Sequence, residues 1–120
     1  MAGWILVAGN DAITALDIEE ILGASGYKVT TAMPMVLDRF RHPHHPPDLV
    51  LIDLDERSLF QAIRLVTRLR ERSPIRVAIL ANVLDNEIGA HADVLRPAGY
   101  LRKPFRDHDL FVLVRTVLSR

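Results

Sequence analysis

The residues of this sequence best placed to do chemistry are Asp53 and Lys103. Asp53 closes the unbroken apolar run Leu49-Val50-Leu51-Ile52, which opens after Pro46-Pro47-Asp48. A run of that length, apolar on both faces, reads as a strand buried in the middle of a parallel sheet. Its last residue then emerges at the carboxyl edge of the sheet, where ligands and chemistry sit in open α/β folds. The competing reading is an aspartate that caps a helix or a loop, and position alone does not separate the two. Lys103 stands in a lone Lys-Pro step after a later short apolar run, and Lys28 is the only other lysine among the 15 basic residues.

To position such residues the chain has 120 residues, enough for one domain spanning 1–120 with a single core. Acidic and basic residues are equal in number, at 15 each, which argues against a broad nucleic-acid footprint. The absence of cysteine excludes disulfides, thiolate metal sites and cysteine nucleophiles. No apolar stretch is long enough to span a bilayer, and Met1-Ala2-Gly3 runs into Trp4-Ile5-Leu6-Val7 without a basic leader segment. A cytoplasmic domain with no membrane partner is the expectation.

Five strand-like runs alternate with five helix-like ones. The strands are expected at Trp4–Ala8, Lys28–Ala32, Leu49–Ile52, Val77–Ala81 and Gly99–Arg102. A first helix over Ala12–Ser25 would bury Ile18, Ile21 and Leu22 and stop at Gly26. A brief second follows Pro34, with Leu37 and Phe40 facing in. A third over Leu59–Arg72 stacks Ala62, Ile63, Val66 and Leu69 inward. Its arginines, with Arg57, read as a solvated face. The fourth, about Asn86–Leu95, contains Gly89, stops before Pro97 and should be the weakest. The fifth begins behind Asp107 as N-cap and repeats Leu110, Leu113, Val114, Val117 and Leu118. Strict alternation implies right-handed crossovers and a parallel sheet covered on both faces, a three-layer α/β sandwich. His42, His44 and His45 are interrupted by prolines, so convergent metal ligation is disfavoured, and His91 reads as a partly buried helix residue. Gly9 alone makes no dinucleotide site.

Three segments resemble the receiver domains of two-component response regulators, over essentially the whole chain. Ile5-Leu6-Val7-Ala8-Gly9-Asn10-Asp11 looks like the first receiver strand and its acidic turn. Pro47-Asp48-Leu49-Val50-Leu51-Ile52-Asp53 looks like the strand bearing the phosphoacceptor, and Gly99-Tyr100-Leu101-Arg102-Lys103-Pro104-Phe105 looks like the fifth strand with its lysine-proline turn. The resemblance implies a flavodoxin-like doubly wound fold with five parallel strands in the order 2-1-3-4-5. It also implies Asp53 as phosphoacceptor, Lys103 as the lysine that pairs with a phosphoryl oxygen, Tyr100 as the switch aromatic, a cis bond before Pro104, and a histidine kinase or output domain as partner. The only enzymatic component implied is self-phosphorylation of Asp53. A homodimer through the fourth and fifth helices would follow family habit, with Tyr100 and Phe111 flanking that face, although an aromatic there can equally be core.

The match then breaks. Where receivers carry two acids after the first strand, this chain has Gly9 and Asn10, with Asp11 one position late. The hydroxyl position after the fourth strand is Ala81, and the loop after Asp53 has Arg57 at the usual proline position. Magnesium relies on one or two carboxylates plus phosphate oxygens and waters, so binding through Asp53, Asn10, Asp11 and Asp55 should be weak. Two readings follow. Either Asp11, Asp55 or Glu56 rebuilds a metal site, or the chain is a degenerate receiver that keeps a binding face, with Asp53 and Lys103 surviving as a structural ion pair. The simultaneous loss of metal ligands, hydroxyl and loop chemistry points to the second. Asp53-Leu54-Asp55 also resembles the acidic pair of haloacid-dehalogenase-type phosphotransferases, but that motif usually opens the first strand, and no later acidic pair is present for magnesium.

Overall fold

The structure is a computed structural model that describes residues 3–32, 46–55, 59–82 and 93–119. Its five strands are β1 (Trp4–Ala8), β2 (Lys28–Ala32), β3 (Leu49–Leu54), β4 (Val77–Ala81) and β5 (Gly99–Arg102). All pair in parallel, in the order β2-β1-β3-β4-β5. The topology is the doubly wound one expected, and the aliphatic runs explain it. Every residue of β3 and of β4 is buried, which requires cover on both faces.

That cover comes from α1 (Ala12–Ala24), α2 (Leu59–Arg70) and α3 (Asp107–Leu118). Alternate strand residues face opposite layers. Ile5, Val7, Leu49, Leu51 and Leu80 pack with Ile18 and Leu22 of α1 and with Leu110, Val114 and Val117 of α3. Leu6, Val50, Ile52 and Ile79 pack with Ala62, Leu65, Val66 and Leu69 of α2. Fully burying one such aliphatic side chain contributes about 1.5–3 kcal/mol, so these two clusters dominate the stability of the domain. The helix behind Pro34 and most of the one at Asn86–Leu95 lie outside the described residues, as do Arg57, His42, His44, His45 and His91. Within 93–95 the chain makes a 3-10 turn, Asp93–Leu95.

Several boundaries differ from expectation for local reasons. β3 runs on to Leu54, because Asp53 and Leu54 continue the ladder against Leu80 and Ala81. Asp53 is therefore inside the strand's last turn of pleat instead of just beyond it. The third helical pattern ends at Arg70 and not Arg72, and α1 ends at Ala24. There the Tyr27 N–H reaches the Leu22 carbonyl at 3.1 Å and the Gly26 N–H reaches Gly23 at 3.0 Å, with Gly26 at φ 93°. That pattern is a Schellman cap, and it needs the glycine. The N-cap of α3 is Arg106, not Asp107. Asp107 and Asp109 both fall in the first turn, where they face the positive end of the helix dipole, and the Arg106 N–H donates to Asp109 at 3.4 Å.

Arg70 also departs from the solvated face assigned to it. Its guanidinium donates to the carbonyl oxygens of Leu95, Ile75 (3.3 Å) and Arg96 (3.2 Å), tying the end of α2 to the 3-10 turn. Burial holds its pKa below the ordinary arginine value, with the nearby Arg96 charge acting in the same direction. Arg64, Arg68 and Arg72 are exposed as expected.

Candidate functional site

The carboxyl edge of the sheet gathers the chemistry. Residues of β1, β3 and β5 that face α1 and α3 are the odd-numbered ones, and continuing that parity to the strand ends brings Gly9, Asp53 and Lys103 to the same side. The register sets Val7 beside Leu51, so Gly9 comes to lie beside Asp53. Asp53 is 6 % exposed and is the only buried charged residue among those described. Its Oδ1 lies 2.5 Å from Lys103 Nζ. Lys103 is itself fixed by its backbone N–H, which donates to the Ala81 carbonyl at 2.8 Å, and the Lys103–Pro104 bond is cis, as the resemblance implied. Burial pushes the Asp53 carboxyl above its ordinary value of 3.8; the hydrogen bond and charge of Lys103 pull the other way, and the negative charges of Asp11 and Asp55 add to the rise.

The other residues expected around Asp53 point elsewhere or offer little. Asp11 is the N-cap of α1: its Oδ1 accepts from the N–H groups of Ile13 (3.0 Å) and Thr14 (3.3 Å), and its Oδ2 accepts from the Thr14 hydroxyl at 2.7 Å. The Thr14 hydroxyl chiefly, helped by those amides, holds the Asp11 carboxyl below its usual value. Asn10 and Asp55 are exposed. Gly9 is more than a missing acid, since a Cβ there would lie 2.8 Å from the Asp53 Cβ. The backbone has closed against the aspartate over the space a side chain would take.

These residues fit magnesium poorly. Among those described, no three histidine or acidic side chains converge as a metal would need. One Asp53 oxygen is taken by an ammonium, and the Asp11 oxygens serve a helix cap. A divalent cation bound here would have to draw on Asp53 Oδ2, the Asn10 carbonyl and Asp55.

On the α2 side of the sheet, Ala81 is buried in the apolar cluster and Ile79, two residues before it, pairs with Tyr100. Tyr100 is 41 % exposed, and its hydroxyl donates to Asp93 Oδ1 at 3.1 Å. Partial burial raises the Tyr100 pKa, and the Asp93 carboxylate raises it further. Phe111 does not share that face. It lines a groove between α1 and α3 with Asp17, Glu20, Ile21 and Ala24, because position 111 on α3 points towards α1. The sequence did not signal the Gly9 closure, the Asp93–Tyr100 bond or the Arg70 strut, since each is a contact between segments far apart or a backbone approach without a motif.

The sheet edge thus sets a buried aspartate near the end of a central strand against a lysine that follows the last strand and precedes a cis-proline, and the chain as a whole superposes on solved receiver domains. Its fold is that of the response-regulator receiver domain. A response regulator receiver protein from Burkholderia phymatum superposes with a TM-score of 0.79 at 25 % identity, over 98 % of this chain and 95 % of that one. A response regulator from Thermotoga maritima gives 0.79 at 24 % identity over the whole of both chains. A CheY-like response regulator from Mesorhizobium loti gives 0.80 at 15 % identity, covering 97 % of this chain and 98 % of that one. No family model and no curated protein matches the sequence. The receiver likeness is therefore carried by architecture, while the sequence has moved far from it. The fold has five parallel strands in the order 2-1-3-4-5.

Proposed function

We propose that this is a degenerate receiver, a cytoplasmic protein-interaction module of a two-component pathway that retains Asp53 at the phosphoacceptor position without the phosphorylation switch. The observation that carries the reading is the closure of Gly9 onto Asp53, which leaves no room beside the aspartate for an acidic side chain at that position. Phosphoryl transfer to a carboxylate brings two anions together, and a divalent cation normally offsets that repulsion. Here Gly9 and Asn10 supply no carboxylate to the cation side of the pocket, and Ala81 has no hydroxyl with which to hold a transferred group. The partners that suit such a module are a histidine kinase or an output domain, approached through a face of the fold.

A second reading has one observation in its favour. Asp53 and Lys103 keep the juxtaposition that phosphorylation needs, so a site rebuilt around Asp55 would make the chain a slow phosphoreceiver. Magnesium separates the two. Titrating it while following backbone amide shifts at Asn10, Asp53 and Asp55 should give no saturation at physiological concentrations. Saturation in the low millimolar range or below would favour the phosphoreceiver.

A further inference from the structure

The turn between β1 and α1 carries one acid, Asp11. It is exposed and within electrostatic reach of the pocket: its charge adds to the rise of the Asp53 carboxyl, and the Lys103 charge helps to hold Asp11 itself low. What distinguishes it is how firmly its orientation is held. The amides of Ile13 (3.0 Å) and Thr14 (3.3 Å) both donate to Oδ1, which is all that an N-cap requires. The Thr14 hydroxyl adds a bond to Oδ2 at 2.7 Å, the shortest of the three. A capping box would place Glu or Gln at this third helical position, to accept from the N–H of the cap residue. Thr14 instead donates to the side chain of the cap, so its hydroxyl satisfies none of the amides that a cap exists to satisfy.

We propose that Thr14 is a positioning residue that locks the Asp11 carboxylate in its capping orientation and so withholds it from the Asp53 pocket. Two donors on one oxygen leave a carboxylate able to turn about that oxygen, whereas a third donor on the other oxygen fixes its plane. With the hydroxyl gone, Asp11 keeps its cap through Oδ1 and gains an Oδ2 that can turn to the cation side, where Asp53 Oδ2 and the Asn10 carbonyl are the other oxygens. Magnesium takes one or two carboxylates and fills the rest of its shell with water, so one added carboxylate oxygen counts, whether it binds directly or through a water. The substitutions at Gly9 and Asn10 removed the usual acids, and the Thr14 hydroxyl keeps the remaining one from standing in for them. The inference rests on the reading of this pocket as poor in cation ligands, and it names a residue that keeps it so.

Magnesium titrations of the full chain test this, read by backbone amide shifts at Asn10, Asp53 and Asp55 and carried far enough that the wild type also yields a Kd. Thr14→Val removes the hydroxyl at nearly constant shape and should bind magnesium about fivefold more tightly than wild type, since carboxylate count sets the affinity of such sites. Thr14→Ser keeps the hydroxyl and should match wild type. Thr14→Val combined with Asp11→Asn should lose the gain. A merely structural role for Thr14 cannot produce this pattern, because a weakened cap does not tighten a cation. A metal-free readout accompanies it: the Asp11 carboxyl should titrate closer to its ordinary value in Thr14→Val, because the hydroxyl is the chief cause of its lowering. Magnesium affinity unchanged in Thr14→Val overturns the proposal, as does a gain shared by Thr14→Ser, a gain that survives Asp11→Asn, or an Asp11 titration that does not move. Should Thr14→Val not fold, Thr14→Ala carries the same expectation and the same failure. The wild-type Kd alone reports on the degenerate reading and the ratio of variant to wild type on the lock, so the two can fail separately.

Discussion

The chemistry at Asp53 is set by one ammonium and one missing side chain. Lys103 offsets part of the cost of burying the carboxylate, so Lys103→Met should raise the Asp53 pKa further above 3.8, read by carbonyl 13C shifts across a pH series. The sign for stability follows. A carboxyl that binds its proton more tightly folded than unfolded loses stability as pH rises from about 4 through its folded value, and removing Lys103 carries that window to higher pH. An unchanged or lower Asp53 titration in the variant would contradict the pairing. At Gly9 the measure is steric. Gly9→Ala should cost about 1–3 kcal/mol in urea unfolding, because the Asp53 Cβ cannot move aside as a flexible chain end would. Gly23→Ala, with open space around it in α1, should instead stabilise by about 0.5–1 kcal/mol. Equal effects at the two glycines would remove the steric argument. The placement of Asp53 and Lys103 at one sheet edge was legible from two apolar runs and their last residues. The closure of Gly9 was not, since a sequence shows that a side chain is absent but not where the backbone goes.

At the scale of elements, all five strands were legible because β-branched and aliphatic runs bounded by turns have few alternatives in an alternating chain. Only β3 was read two residues short: an aspartate looks like an end, although its backbone still pairs with Leu80. Helix ends were read less well, as at Arg106, because caps depend on which side chain folds back and not on residue type alone. Arg70 was misassigned for a related reason: in a run of arginines, nothing in the sequence marks the one that meets three carbonyl groups. Arg70→Met should therefore destabilise the chain by about 1–3 kcal/mol and speed hydrogen exchange at Arg96, whose N–H donates to Asp93 at 3.0 Å. Arg72→Met, at an exposed position just past the same helix, should change stability by less than about 0.5 kcal/mol. If the two variants behaved alike, the strut between α2 and the 3-10 turn would carry no weight.

Taken whole, the molecule has the architecture of a receiver, and on the reading proposed above three kinds of chemistry around its aspartate depart from the family pattern together. The fold survives because the two apolar clusters that define it do not involve Gly9, Asn10 or Asp55, and Ala81 is as good a core residue as a hydroxyl-bearing one. The switch is another matter, since a phosphoryl group can shift a population only through contacts that differ between two states. Tyr100 here is turned out towards Asp93, and Ala81 offers no hydroxyl through which a modified Asp53 could favour another arrangement. The central claim, that phosphorylation no longer operates this domain, is met most directly by intact-mass measurement after incubation with acetyl phosphate or phosphoramidate and magnesium, wild type beside Asp53→Asn. The expected spectrum shows little added phosphoryl mass on the wild type and none on Asp53→Asn. Near-stoichiometric labelling of the wild type that disappears in Asp53→Asn would contradict the claim and establish a working phosphoreceiver.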